Sequence, residues 1–345
     1  MIRVLVAEDS RTTMEHLVQI LEADPALQVV GRARTGGEAV ELVAKLRPDV
    51  IVMDVELPRM DGLEATRRIM TSLPRPIVLV TAHSDELEAK AFEALEAGAL
   101  TVLDKPRAPG RRNAAGAEAQ LVATVKLMSE VKVVRRWPAR NDRRWPRRPA
   151  VSARPKVRIV ALGASAGGPP AVAEILTRLP GGLSCPVLLV QHIAPGFAAS
   201  FADWLDRSTT LRVKLAGQDE RLLPGTVYVA PDGAQMGVSS TGRIRLTDEV
   251  SVDGFRPSAS YLLRSVARAY GRAAIGVLLT GMGRDGAAGL LELRRAGGVT
   301  IAQDRESSVV FGMPGEAIRL GAAEHVLRPA QIAETIAALV GEGEA

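Results

Sequence analysis

The stretch I-V-A-L-G-A-S-A-G-G-P-P, residues 159–170, decides the fold of the second half of this chain. Ile159 to Leu162 form an apolar run without alternation, the pattern of a strand buried on both faces. Small residues then free the backbone around Ser165, and Pro169-Pro170 suit the first turn of a helix. A buried strand that feeds a helix through a glycine-rich turn opens a βαβ unit. Two more apolar runs end in chemically loaded turns: Val187 to Val190 before Gln191-His192, and Ile275 to Leu279 before T-G-M-G-R-D-G, Thr280 to Gly286. In a parallel sheet the C-terminal ends of all strands share one edge, where ligands and catalytic groups gather. A serine, a histidine and an aspartate are thereby expected in one place, as in a hydrolase with a serine nucleophile.

Each of these residues also has a plainer reading. G-A-S-A-G, Gly163 to Gly167, fits the G-x-S-x-G pattern that exposes a serine on a tight strand-to-helix turn. Such a turn can instead hold a phosphate, but the chain has no G-K-[ST] ending here and no G-x-G-x-x-G spacing. His192 can take the serine proton near neutrality, or simply cap a loop. Asp285 can orient His192, or act as N-cap of a helix expected from about Ala287 to Ala296; the two roles are compatible. The chain order Ser, His, Asp differs from the familiar orders of such triads, so a standard α/β-hydrolase is not expected.

Working outward, residues 1 to 106 alternate strand and helix patterns. Strands are expected at Ile2 to Ala7, Val29 to Ala33, Val50 to Met53, Ile77 to Val80 and Leu100 to Leu103, with amphipathic stretches between them. Five βα units imply a doubly wound parallel sheet. Glu8 and Asp9 end the first strand, Asp54 the third, and Lys105-Pro106 follow the fifth, so the acids converge. They can form an ion-pair cluster, or hold a divalent cation such as Mg²⁺ through oxygen ligands. A fifth helix is expected from about Ala117 to Val134. Arg135 to Pro149 is too rich in Pro and Arg to pack and marks a linker over 135–156.

Charge follows the same division. Residues 1–106 carry 12 Lys/Arg against 18 Asp/Glu, residues 107–158 carry 15 against 3, and the remainder 17 against 18. The excess of basic charge therefore belongs to one segment. Nucleic-acid binding through it is possible, but no helix-turn-helix or zinc-finger pattern accompanies it, and a solvated linker is the preferred reading. No run approaches the roughly 18 to 20 apolar residues of a membrane span. A strand beginning at Ile2 leaves no room for a signal peptide, so a cytoplasmic location is expected. Cys185 stands alone and cannot form an internal disulfide, and the four histidines show no metal spacing.

Two resemblances follow from these motifs. A-E-D-S at Ala7 to Ser10, M-D-V-E-L-P-R-M-D-G at Met53 to Gly62, T-A-H at Thr81 to His83 and D-K-P at Asp104 to Pro106 resemble response-regulator receiver domains. The resemblance implies that Asp54 is the phospho-acceptor and that Glu8, Asp9 and Asp54 hold Mg²⁺. It further implies that Thr81 bonds the phosphoryl group and Lys105 pairs with it. The family usually has Phe or Tyr three residues before the lysine; this chain has Val102.

Residues from 157 to about 325 resemble the catalytic domain of CheB-type protein-glutamate methylesterases. The segments that carry this are G-A-S-A-G-G, Q-H-I-A-P-G-F at Gln191 to Phe197, and P-G-T-V-Y-V-A-P at Pro224 to Pro231. R-P-S at Arg256 to Ser258, L-T-G-M-G-R-D-G at Leu279 to Gly286, and A-Q-D with V-V-F-G-M-P within Ala302 to Pro314 complete them. A receiver fused ahead of this domain is that family's architecture. The resemblance implies Ser165 as nucleophile, His192 as base, Asp285 as its orienting acid and the Met282 backbone N–H in the oxyanion hole. It implies hydrolysis of glutamate γ-methyl esters on chemoreceptors, deamidation of receptor glutamines, and activation by a histidine kinase that phosphorylates the receiver. No cofactor is expected for the ester chemistry, and no nucleic acid or membrane insertion. The expected fold class is α/β with two doubly wound parallel-sheet domains, a flavodoxin-like receiver at 1–134 and a Rossmann-like three-layer catalytic domain at 157–345.

Overall fold

Strands and helices alternate through both halves of the computed structural model, which describes residues 1–81, 85–106, 114–131, 156–250 and 254–341. The chain divides into two units, Met1–Asp142 and Arg143–Ala345. In the first, strands β1 (Ile2–Ala7), β2 (Leu27–Ala33), β3 (Val50–Asp54), β4 (Ile77–Thr81) and β5 (Thr101–Asp104) alternate with five helices. These are α1 (Arg11–Glu22), α2 (Gly36–Leu46), α3 (Gly62–Ser72), α4 (Asp85–Glu96) and α5 (Ala114–Ser129). The sheet order is β2-β1-β3-β4-β5, parallel throughout. Every residue of β3 and β4 is buried, as their aliphatic sequences require of strands covered by helices on both faces. Ser10, Thr35 and Asp61 start α1, α2 and α3 by accepting the backbone N–H of Thr13, Glu38 and Glu64. Strand order changes direction between β1 and β3, and the ends of those strands carry Glu8, Asp9 and Asp54.

Helix α5 departs from the expected bounds. It begins at Ala114, where alanines favour helix. It ends at Ser129, because Glu130 N–H and Val131 N–H turn back to the carbonyls of Leu127 and Met128. The rest of the expected helix, 132–134, lies outside the described residues. The linker expected at 135–156 lies outside the described residues except for Lys156.

The second unit holds β6 (Ile159–Ala164), α6 (Gly168–Arg178), β7 (Val187–Gln191), α7 (Ala198–Ser208), β8 (Arg212–Leu215) and β9 (Thr226–Val229). A hairpin, β10 (Gln235–Val238) and β11 (Ile244–Thr247), follows. Then come α8 (Ala259–Tyr270), β12 (Ala274–Leu278), α9 (Ala287–Arg295), β13 (Val299–Gln303), α10 (Met313–Arg319), β14 (His325–Leu327) and α11 (Pro329–Gly341). The main sheet runs β14-β13-β12-β6-β7-β9-β8, all parallel. Strand β6 is central, with β12 and β7 as its neighbours. Leu278 pairs with Gly163, and Ala164 with Gln191. Strand β12 ends one residue before its apolar run does, although Leu279 N–H still donates to Gly163 O at 2.8 Å.

One face of this sheet (Ile159, Ala161, Leu188, Val190) packs with α8, α9, α10 and the hairpin in a continuous apolar core. The alternate residues Val160, Leu162, Val187 and Leu189 point the other way and are also fully buried. Burial on both faces makes the strand ends rigid mounts for the turns beyond them.

Candidate active site and phosphoacceptor pocket

Ser165 lies one residue past β6. Its N–H donates to Thr280 O at 3.0 Å, and its carbonyl accepts from Gly168 N–H at 2.7 Å and Gln191 Nε2 at 2.8 Å. The backbone of the serine is thereby tied to the turn after β12, to its own helix and to β7. Two glycines make this turn possible. Gly167 has φ +73, in the left-handed region that L side chains rarely adopt. A β-carbon at Gly281 would stand 2.6 Å from Ser165 Cβ, so only glycine lets the turn after β12 come this close. Met282 is the next residue, with its side chain 39% exposed.

His192 lies one residue past β7, and its N–H donates to Ala164 O at 2.9 Å. Its ring is almost enclosed. Nε2 is 2.9 Å from Asp285 Oδ2, and Nδ1 is buried without a hydrogen-bond partner among the described residues. A ring nitrogen against a carboxylate carries the proton, so the free lone pair belongs to Nδ1. Phe255 stacks on the ring face, with centroids 3.9 Å apart and planes within 1°.

Asp285 is completely buried, and five donors surround it. Oδ1 accepts from Ser258 Oγ at 2.7 Å, Ser260 N–H at 3.0 Å and Gly286 N–H at 2.8 Å. Oδ2 accepts from Ala259 N–H at 2.7 Å as well as from His192. Burial favours the neutral acid, but the His192 bond and charge, then Ser258 and Ser260, outweigh it and bring the pKa down to about 2. Asp285 does not cap its own helix through its side chain: Gly286 is the N-cap of α9 and makes no side-chain cap bond. The carboxylate sits instead at the N-terminus of α8, where free N–H groups and the helix dipole favour an anion.

The first unit has its own acidic pocket. Oxygens of Glu8, Asp9 and Asp54 lie within 4.8 Å of one another. Lys105 Nζ is 2.5 Å from Asp54 Oδ2 and 2.9 Å from Glu8 Oε2. The contact with Glu8 is a close ion pair, and among the described residues Glu8 Oε2 has no other polar partner. Burial pushes both Asp54 and Glu8 above the usual carboxylate range, despite Lys105. Burial also works against the Lys105 charge, yet the bonds to Asp54 and Glu8 keep its pKa above the ordinary value. Thr81, buried, ends β4, and its carbonyl accepts from Lys105 N–H at 2.9 Å. Three hard oxygen donors within 4.8 Å of one another, two of them on buried carboxylates, fit Mg²⁺. Val102 is buried on β5.

Several residues at the edge that bears Ser165 and His192, some within quoted motifs, are given no role by the sequence. Gln191 Nε2 bonds Ser165 O and also His192 O at 2.9 Å, linking the backbones of both. Gln303 Oε1 accepts from Thr280 N–H at 2.8 Å. Gln235, Phe255 and Ser258 bear on the histidine and the aspartate. Their signals were weak: R-P-S was noted as a motif, but nothing local says which carboxylate its serine meets.

Comparison with known proteins gives concordant matches. Residues 160–336 match the family described as CheB methylesterase, and residues 4–115 match the response regulator receiver domain. A Syntrophus aciditrophicus protein named protein-glutamate methylesterase/protein-glutamine glutaminase 1 is 50% identical over 350 residues, covering 99% of both chains. A Geobacter metallireducens protein, protein-glutamate methylesterase/protein-glutamine glutaminase 4, is 49% identical over 346 residues, 99% of this chain and 100% of its own. Among solved structures, the Thermotoga maritima CheB methylesterase catalytic domain is 38% identical with a TM-score of 0.52. It covers 54% of this chain and 100% of that one.

Proposed function

We infer the function from one premise: this chain belongs to the CheB methylesterase family, with a response regulator receiver domain ahead of its catalytic domain. It is a hydrolase of the protein-glutamate methylesterase/protein-glutamine glutaminase kind. Its substrate is a chemoreceptor that carries glutamate γ-methyl esters, or glutamines that it deamidates.

Ser165, His192 and Asp285 carry the chemistry. His192 Nδ1 takes the Ser165 Oγ proton as that oxygen attacks the ester carbonyl. The imidazolium then returns the proton to the departing methoxide, releasing methanol and leaving an acyl-serine. Water, deprotonated by His192, cleaves the acyl-serine to a glutamate and restores Ser165. With a glutamine the leaving group is ammonia. The Met282 N–H, one residue past the glycine that abuts Ser165, donates to the oxyanion. One observation supports this most: the His192–Asp285 bond at 2.9 Å with Asp285 fully buried. It holds the proton on Nε2 and leaves Nδ1 free to act as base, on β7 next to the strand that leads into Ser165.

Phosphorylation controls the enzyme through the receiver. Asp54 is the acceptor, Glu8, Asp9 and Asp54 hold Mg²⁺, and Lys105 and Thr81 bind the phosphoryl group. Bound Mg²⁺ supplies charge neutralisation for phosphoryl transfer to the aspartate. The phosphodonor is a histidine kinase. We place this work in the cytoplasm; among the described residues no helix is long and apolar enough to cross a membrane.

The test is methanol release from methylated receptor, with and without a small phosphodonor plus Mg²⁺. Wild type releases methanol faster with phosphodonor, and Ser165→Ala falls by about 10⁶. Release that survives in Ser165→Ala overturns the nucleophile assignment, and release indifferent to phosphodonor overturns the receiver's control.

A further inference from the structure

Among the described residues one hydrogen bond holds the His192 ring at its edge, and one bond does not fix a plane. The χ2 torsion of histidine is broad, so the ring can pivot on the Nε2–Asp285 contact and swing Nδ1 off line. Phe255 closes that freedom from the face, parallel to within 1° at 3.9 Å between centroids.

The segment that carries Phe255 is itself fastened. Gln235, fully buried on β10, donates from Nε2 to Phe255 O at 3.1 Å and to Val250 O at 3.4 Å. Its Oε1 accepts from Ser258 N–H at 2.9 Å. One buried amide thus fastens the backbone at two working residues, Phe255 against His192 and Ser258 against Asp285.

We propose that Phe255 is a positioning residue of the esterase, fixing the imidazole plane so that Nε2 stays on Asp285 and the unpartnered Nδ1 is held in one orientation to receive the Ser165 proton. This rests on the Ser165–His192–Asp285 reading above. The aromatic face also suits the imidazolium that forms when His192 takes the serine proton, because a cation over a ring within about 6 Å is attracted by its quadrupole. The ring therefore favours the charged state reached during reaction and has no direct part in holding the receptor.

Phe255→Leu and Phe255→Tyr in the full-length protein test this, beside wild type and Ser165→Ala. Leucine keeps the apolar bulk without the ring, while tyrosine restores the ring. Phe255→Leu lowers kcat by about 100-fold, the scale of a small misplacement of a reacting group, with KM changed by less than about threefold. Phe255→Tyr stays near wild type in both. The low-field proton resonance of His192 Nε2–H is the second readout: it broadens or vanishes in Phe255→Leu and persists in Phe255→Tyr. It needs no substrate, so it also decides the matter if the leucine variant is unstable or the receptor proves to be the wrong substrate. A wild-type kcat and an intact resonance in Phe255→Leu overturn the proposal. So does a loss in Phe255→Tyr equal to that in Phe255→Leu, for then the ring is not what matters. Failure of wild type to release methanol, by contrast, removes the esterase reading and leaves the resonance to judge the ring.

Discussion

Asp54 and Asp285 are both buried carboxylates at the C-terminal edge of a parallel sheet, yet burial raises the pKa of the first and leaves that of the second at about 2. The difference lies in fixed donors. Asp285 has five, three of them backbone N–H groups within or beside helix N-termini. Among the described residues Asp54 has one backbone donor, Glu56 N–H at 3.2 Å, and one flexible ammonium, shared with Glu8. The catalytic half thus holds a permanent anion that nothing further needs to neutralise. The receiver half holds an excess of negative charge, which a cation would relieve. On the roles proposed above, the group that has to stay ionised through turnover is held by fixed backbone donors, and the group that has to be modified is left under-compensated.

The sign of each pH effect follows. Asp285 ionises more readily folded than unfolded, so its contribution is present above an unfolded pKa of about 3.9 and is lost as pH falls towards about 2. It amounts to about 2 to 3 kcal/mol at neutral pH. For Asp54 and Glu8 the folded pKa is raised, so their contribution is favourable below the unfolded value and is lost as pH rises through the folded one.

The largest expected effect breaks the comparison on the catalytic side. Asp285→Asn keeps the shape but removes the anion and unsettles the His192 tautomer, and kcat falls by about 10⁴. Steady-state methanol release measures this. A loss below about tenfold would mean that Asp285 serves the N-terminus of α8 and does not set the histidine.

The next effect belongs to the receiver. Mg²⁺ at about 100 times its Kd adds about 2.7 kcal/mol to folding stability, read in the full-length protein as slowed amide exchange in β1 and β3. Asp54→Asn removes most of that gain, and without Mg²⁺ it exchanges more slowly than wild type at pH 7, because the under-compensated charge is gone. Equal slowing by Mg²⁺ in both proteins would place the cation elsewhere.

These two pockets were not equally legible. Runs such as Val50 to Met53 and Ile159 to Leu162 announce buried strands by composition alone, and a turn after each strand necessarily reaches one edge. That placed Glu8, Asp54 and Lys105 together, and brought His192 towards Asp285 although they stand 93 residues apart. The alternation of strand and helix could not give the sheet order that makes β12, β6 and β7 neighbours, nor the β10–β11 hairpin that interrupts the βα series. It could not say which ring nitrogen of His192 faces Asp285. The helix that Asp285 meets is α8, not the one that follows it in sequence. Such contacts depend on the docking of distant segments, and local periodicity carries no record of them. Helix α5 differs at its ends for a local reason: Glu130 and Val131 turn back onto Leu127 and Met128, a closure that the apolar pattern does not record.

The smallest effect sharpens the comparison. Ser258 donates to Asp285 at 2.7 Å and, as N-cap of α8, accepts from Tyr261 N–H at 3.3 Å. Ser258→Ala loses both a cap and a charge-assisted bond, and urea unfolding should register about 2 kcal/mol. Activity should fall by less than about tenfold, because four donors remain on Asp285 and a fixed anion does not depend on any one of them. Ser258→Thr retains the hydroxyl and should recover most of the stability. If instead Ser258→Ala costs as much kcat as Asp285→Asn, the charge is not distributed over the α8 terminus but hangs on a single hydroxyl. Asp285 would then resemble Asp54, a carboxylate whose state one partner controls.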